Sequence, residues 1–249
     1  MKRFEDKVVI ITGGNSGIGL ATAKRLQSEG ASVAITGRSP EKLKTAVEAL
    51  GGDVVASSVD MASLPQIKDF IDDVAARHGR IDVIIANAGG ATVKPFEMMD
   101  EATFDDDMNR NFKGAYFTAQ AALPHMKDGG SIVFLGSPAG SKGFGGMSVY
   151  GPAKAAVRSL VRVLASELAP KNIRANAVSP GPIPTPGMDR LGLPEEQIQD
   201  MKDMFVSDVP LGRMGTVDEI AAAIAFIASD EASYVTGVEL FSDGGHAQV

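Results

Sequence analysis

The 249-residue chain carries a net charge of −7 at pH 7, with 44% hydrophobic and 22% charged residues. That supplies the core of one large α/β domain, and an acidic balance without a basic stripe argues against nucleic acid as a partner. With no cysteine, and with His78, His125 and His246 at no ligand spacing, no metal is expected and each histidine reads as a surface or helix-end residue.

The opening MKRFEDK has no apolar leader core, and no later run reaches membrane-spanning length, so a soluble, cytoplasmic protein is expected. KVVIITGG then reads as a first buried strand, and ATAKRLQSEG as a helix stopped by Gly30. SVAITG gives a second strand and PEKLKTAVEAL a second helix, with Pro40 in its first turn. DVVASSVD, a helix near 63–78 and IDVIIANAG repeat the unit. A long helix is expected from about Asp100 to Met126, followed by the strand SIVFLGS. A helix starting at Tyr150 leads into IRANAVSP, and a helix near 217–228 into the short strand VELF. Seven β-rich runs alternating with amphipathic helices predict one α/β domain over 1–249, with a seven-stranded, doubly wound parallel sheet of Rossmann type covered on both faces. The one long irregular stretch, 181–210, is rich in proline, glycine and methionine; an insertion of that length suggests a substrate lid.

Three spots carry chemistry. TGGNSGIGLA (12–21) lies where the first strand meets the first helix. There small residues let the backbone approach a pyrophosphate at a helix N-terminus, although Gly13, Gly17 and Gly19 do not match GxGxxG and a plain tight turn is the alternative. SVYGPAKAAV (148–157) sets Tyr150 and Lys154 four residues apart, hence on one helix face. An ammonium about 5 Å from a phenol at an effective dielectric of ~20 contributes roughly 3 kcal/mol, enough to lower the phenol's pKa by about two units. Lastly, Asn111 inside a helix is mildly unfavourable, which suggests a task.

These motifs resemble those of the short-chain dehydrogenase/reductase family, over essentially the whole chain. TGGNSGIG is similar to its TGxxxGxG loop, NAG (87–89) to its strand-four motif and YGPAK to its YxxxK signature. Asn111, Ser137, SPG (179–181) and DGG (243–245) fall in family order. Within the family the chain looks most similar to bacterial NADP-dependent secondary alcohol dehydrogenases and ketone reductases. The resemblance implies catalysis by Asn111, Ser137, Tyr150 and Lys154. Tyr150 would trade the proton with the substrate oxygen, Ser137 hold that oxygen, Lys154 bind the nicotinamide ribose and Asn111 hold a water leading to Lys154. The segment LGSPAG departs from the usual paired serines, with Gly136 at the first position.

The same resemblance implies cofactor binding by Gly13, Asn15, Ser16, Gly17, Ile18, Gly19, Arg38, Ser39, Asp60, Met61, Asn87, Ala88, Gly89, Tyr150, Lys154, Pro180, Gly181, Ile183 and Thr185. Where family members that prefer NAD place an acid, this chain has Gly37, followed by Arg38. A guanidinium there can clamp a 2′-phosphate, so NADP(H) is expected; stacking on the adenine or facing solvent is the alternative for Arg38. For substrate, Ser137, Tyr150, Phe144, Met147, Met188, Leu191, Met204 and Phe205 would form an apolar pocket, about half of its lid residues touching an uncharged, hydrophobic ketone or secondary alcohol. Alternatives are a 3-oxoacyl-thioester reductase, for which Lys142, Arg190 and Arg213 are sparse cations, and a non-catalytic NADP sensor. Family membership also implies a homotetramer, formed through the helices of Asn111 and Tyr150 and the last helix and strand.

Overall fold

The computed structural model describes residues 2–127, 129–185 and 195–249. Seven strands, β1 (Val8–Ile11), β2 (Ser32–Gly37), β3 (Val55–Ser58), β4 (Val83–Ala86), β5 (Gly130–Leu135), β6 (Ile173–Pro180) and β7 (Glu239–Ser242), form one sheet in the order 3-2-1-4-5-6-7. All six pairings are parallel. The alternation of strand side chains divides the core in two. Val8, Ile10, Ile84, Ile132 and Phe134 face one layer, built from α3 (Leu64–His78), α5 (Gly114–Ala122) and α6 (Tyr150–Leu168). Val9, Ile11, Ile85, Val133 and Leu135 face the other, with α1 (Gly17–Ser28), α2 (Pro40–Leu50) and α8 (Val217–Ala228).

Parallel strands need crossover connections, and the helices supply them on both faces. The winding reverses between β1 and β4, so the carboxyl ends of these strands diverge into a crevice, the place where this architecture takes ligands. The loops at that point are locked together. Asn87 Nδ2 donates to Thr12 O (2.9 Å) and Gly13 O (3.3 Å), and the Ala88 amide donates to Thr12 Oγ1 (3.0 Å).

The expected helix over Asp100–Met126 is not continuous. It runs as α4 (Glu101–Met108), a π-helical turn over Asn109–Lys113, α5, and a 3-10 turn over Leu123–His125. A π turn widens the helix by one residue and is found mostly at functional sites. The stretch 181–210 is also less irregular than expected, since Glu195–Ser207 is helical (α7).

Candidate active site

A cavity of about 890 Å³ opens over the crevice between β1 and β4, and every residue named above for the cofactor lines it. Its glycines are there for closeness. A Cβ on Gly19 would collide with Gly13 O, and one on Gly37 would collide with the Asn15 side chain. Gly13 holds φ +65°, a backbone state that costs glycine little. α1 begins at Gly17, with no acidic residue in its first turn and no side-chain hydrogen bond from Ser16 at its N-cap. Its first N–H groups are therefore left for an anion, so the corner fits a pyrophosphate.

At the end of β2, Arg38 is exposed on the cavity rim and makes no ion pair among the described residues. Ser39 caps α2 by accepting from the Lys42 amide (3.3 Å), and Lys42 joins the lining. Spacing gave no sign of Lys42; the turn that puts α2's first residues over the cavity does. Asp60 shapes its own turn, its Oδ1 accepting from the Ala62 amide at 3.0 Å.

Tyr150, Lys154 and Ser137 meet on the opposite wall. Gly151 and Pro152 start α6 without penalty, since a first-turn proline loses no helical bond. Lys154 is buried, donates from Nζ to Leu135 O at 2.8 Å, and lies 5.6 Å from the centre of the Tyr150 ring. Ser137 follows β5 and accepts from the Ala139 amide at 3.2 Å. The missing second serine has a steric reason: a Cβ on Gly136 would collide with Ser179 Oγ, which itself donates to Glu239 at 2.7 Å.

The electrostatics correct one expectation. The Tyr150 phenol is pushed up from its ordinary pKa, not down. Burial is the largest cause, the Ser137 hydroxyl opposes it, and the buried Asp107 carboxylate adds to it. Burial likewise lowers the Lys154 ammonium to about 8. Desolvation disfavours both charged forms.

Asn111 does not line the cavity. Its amide closes a reciprocal pair with Gly90, Oδ1 accepting from Gly90 N and Nδ2 donating to Gly90 O, both at 3.0 Å, and Nδ2 also donates to Asp107 O (3.0 Å). The residue thus ties the π turn to the β4 loop. A Cβ on Gly89 would stand 2.6 Å from Asn111 Oδ1 and 3.5 Å from Lys154 Nζ.

Phe144, Met147 and Phe205, named above for substrate, line the cavity. Met204 does not: it is 59% exposed and points away, because α7 turns its neighbour Phe205 inward. Met188 and Leu191 lie outside the described residues. His246 also departs from expectation. It is not a surface residue but lies buried in the cavity wall, 5.4 Å from the Phe144 ring centre. Composition and spacing carry no signal for it, since its burial comes from the C-terminal turn folding back over the cavity.

A glycine corner and a tyrosine–lysine–serine trio on one cleft of a doubly wound sheet define a dinucleotide-dependent oxidoreductase. A family model described as "Enoyl-(Acyl carrier protein) reductase" matches residues 13–247. The chain is 41% identical to "Oxidoreductase asL5" of Sarocladium schorii over 100% of this chain and 99% of that one. It is 40% identical to the 3-oxoacyl-(acyl-carrier-protein) reductase FabG of Thermotoga maritima, over 98% of each. A solved short-chain dehydrogenase/reductase of Serratia marcescens, a double mutant, superposes with a TM-score of 0.91 at 32% identity, over 98% of this chain and 99% of that one. The protein belongs to the short-chain dehydrogenase/reductase family, whose members work with a nicotinamide dinucleotide. Among the described residues, no helix is long and apolar enough to cross a membrane.

Proposed function

We propose that the protein transfers a hydride between NADP(H) and a hydrophobic ketone or secondary alcohol, with Tyr150 as general acid and base. The observation that carries this reading is the convergence of Tyr150, Ser137 and Lys154 on the cavity that holds the glycine corner. The bound nicotinamide supplies or receives the hydride. Ser137 and Tyr150 hold the substrate oxygen between them, which stabilises the charge developing there. With its pKa raised, the phenol is neutral at pH 7, the right form to donate a proton to a carbonyl. Lys154, held by Leu135 O, stands ready for the ribose hydroxyls, and Asn111 positions the loop behind it.

Arg38 and Lys42 provide two cations at the adenosine end, and Gly37 provides no repelling acid. Phosphate contacts of this kind contribute ~1.5–3 kcal/mol each, so Arg38→Ala should lower kcat/KM with NADPH by about 10- to 100-fold and hardly affect NADH. An equal loss with both cofactors would overturn the NADP(H) preference. Phe144, Met147, Met214 and Phe205 favour an apolar substrate. Exposed Phe104, Tyr116 and Val163 on α4, α5 and α6 suit a homotetramer.

The second reading, a 3-oxoacyl-thioester reductase, is favoured by the likeness to FabG. The site favours it less: Arg213 is paired with Glu219 at 2.6 Å, and Arg190 lies outside the described residues. A panel of ketones, alcohols and a 3-oxoacyl thioester, assayed with NADPH and NADH, separates the two. Ketone turnover above thioester turnover supports our reading, and the reverse order supports the alternative. Tight NADPH binding with no carbonyl turnover at all would leave a sensor.

A further inference from the structure

The turn that carries Ser137 is held at both ends by bonds that lead to one carboxylate. At its start the Gly136 amide donates to Val178 O (2.8 Å), so the chain leaves β5 alongside β6. The next residue of β6, Ser179, is fully buried, and a Cβ on Gly136 would collide with its Oγ. That hydroxyl is wedged against the main chain one residue before Ser137. Glu239 on β7 aims it, Oε1 accepting from Ser179 Oγ at 2.7 Å. At the far end of the turn, Ser141 Oγ accepts from Arg158 Nη1 at 3.0 Å, and Arg158 Nε stands 3.9 Å from Glu239 Oε2.

The Glu239 side chain is 8% exposed, and Ser179 and Arg158 are its partners among the described residues. A carboxylate taken out of water is costly, and replacing such a group by an apolar one of similar size is often neutral for stability. The sheet does not need it either, since β7 pairs with β6 through the main chain from Glu239 to Ser242. Nor does Glu239 line the cavity, so it reaches the reaction only through Ser179 and Arg158. What the carboxylate fixes is geometry. Without it the Ser179 hydroxyl is free to turn from Gly136, and Arg158 to leave Ser141.

We propose that Glu239 is a positioning residue: through the Ser179 hydroxyl and the Arg158 guanidinium it sets the path of residues 136–141, and hence the aim of the Ser137 hydroxyl into the cavity. The assignment rests on the reading of Ser137 as a residue that holds the substrate oxygen. It also accounts for Gly136, because the space a side chain would take there is filled by the hydroxyl of Ser179 from the neighbouring strand. A group that stabilises developing charge has to be placed closely, and a displacement of about 1 Å by a remote change costs about 10²-fold in rate.

The test is a double-mutant cycle on kcat, measured with the nicotinamide cofactor and the ketone of the panel that wild type uses fastest. Glu239→Leu is expected to lower kcat by about tenfold or more with cofactor affinity retained, and Glu239→Gln, which still accepts from Ser179, by less. Ser137→Ala is expected to lower it by about 10²- to 10³-fold. In the Ser137→Ala background Glu239→Leu should cost less than about twofold, since the hydroxyl it aims is gone, whereas a loss through general destabilisation would persist there. An additive cycle overturns the assignment and leaves the reductase reading standing, as does a wild-type kcat in Glu239→Leu. Ser137→Ala as fast as wild type would instead strike the catalytic reading, and this assignment with it. A crystal structure of Glu239→Leu reads the same claim without turnover: residues 136–141 should leave their wild-type path, and an unmoved Ser137 Oγ overturns it. Should Glu239→Leu fail to fold, Ser179→Ala and Arg158→Met enter the same cycle and the same structural comparison, with the same expected results.

Discussion

The Lys154 ammonium stands 5.6 Å from the centre of the Tyr150 ring, and burial penalises the charge of each residue. At pH 7 the phenol is thus neutral while the lysine still carries its proton, which favours the phenol as a proton donor. Ketone reduction should be nearly flat from pH 6 to 8, while alcohol oxidation, which needs the phenolate, should climb as pH rises. Asp107 contributes to the upward shift of Tyr150, so Asp107→Asn should move the oxidation profile to lower pH. Profiles of kcat/KM in both directions check this, and a profile unmoved or moved to higher pH in Asp107→Asn would contradict it.

The same burial predicts an enzyme that sacrifices stability for its lysine. Lys154 is lowered from 10.5 to about 8. Below pH 8 both folded and unfolded chains carry its proton, and the folded chain bears the full burial penalty. Between about 8 and 10.5 the unfolded chain binds more protons, so stability rises with pH. The penalty is about 3 kcal/mol, of which roughly 1 is returned by the bond to Leu135 O. Lys154→Met should therefore be more stable than wild type by about 2 kcal/mol at pH 7, while losing activity at least ~100-fold. Denaturant melts without cofactor, at pH 7 and pH 10, should show that advantage shrinking with pH.

Gly89 tests the link between the π turn and the lysine. Its missing Cβ leaves room for Asn111 Oδ1, 2.6 Å from where that carbon would be. Gly89→Ala must displace the Asn111–Gly90 pair or the β4 loop, at a cost of ~1–3 kcal/mol. Because Lys154 Nζ shares that space, kcat should fall by more than tenfold. Thermal melts and kinetics together read both effects, and a variant with wild-type kcat would show that Asn111 does not act through this contact.

Much of this architecture is written locally. Ser39 and Pro40 mark the start of α2 and Val8–Ile11 is a pure apolar run, so elements with strong punctuation come out as the sequence suggests. Most of the misses originate in contacts between distant segments. The π turn over Asn109–Lys113 depends on Asn111 reaching Gly90, twenty-one residues away. Tyr150 and Lys154 lie on one helix face as spacing requires, yet the sign of their pKa shifts depends on burial that no i, i+4 rule contains. His246 is hidden for the same reason, and α7 was obscured by the prolines and glycines that precede it.

The central claim is that the Tyr150 hydroxyl carries the proton exchanged with substrate. Tyr150→Phe retains the ring and its packing and removes one oxygen atom. Its steady-state rate with NADPH and a ketone that wild type reduces is the most direct measurement. We expect a loss of about 10²- to 10⁴-fold in kcat with NADPH affinity retained. A variant that still reduces the ketone within a fewfold of wild type would contradict the account.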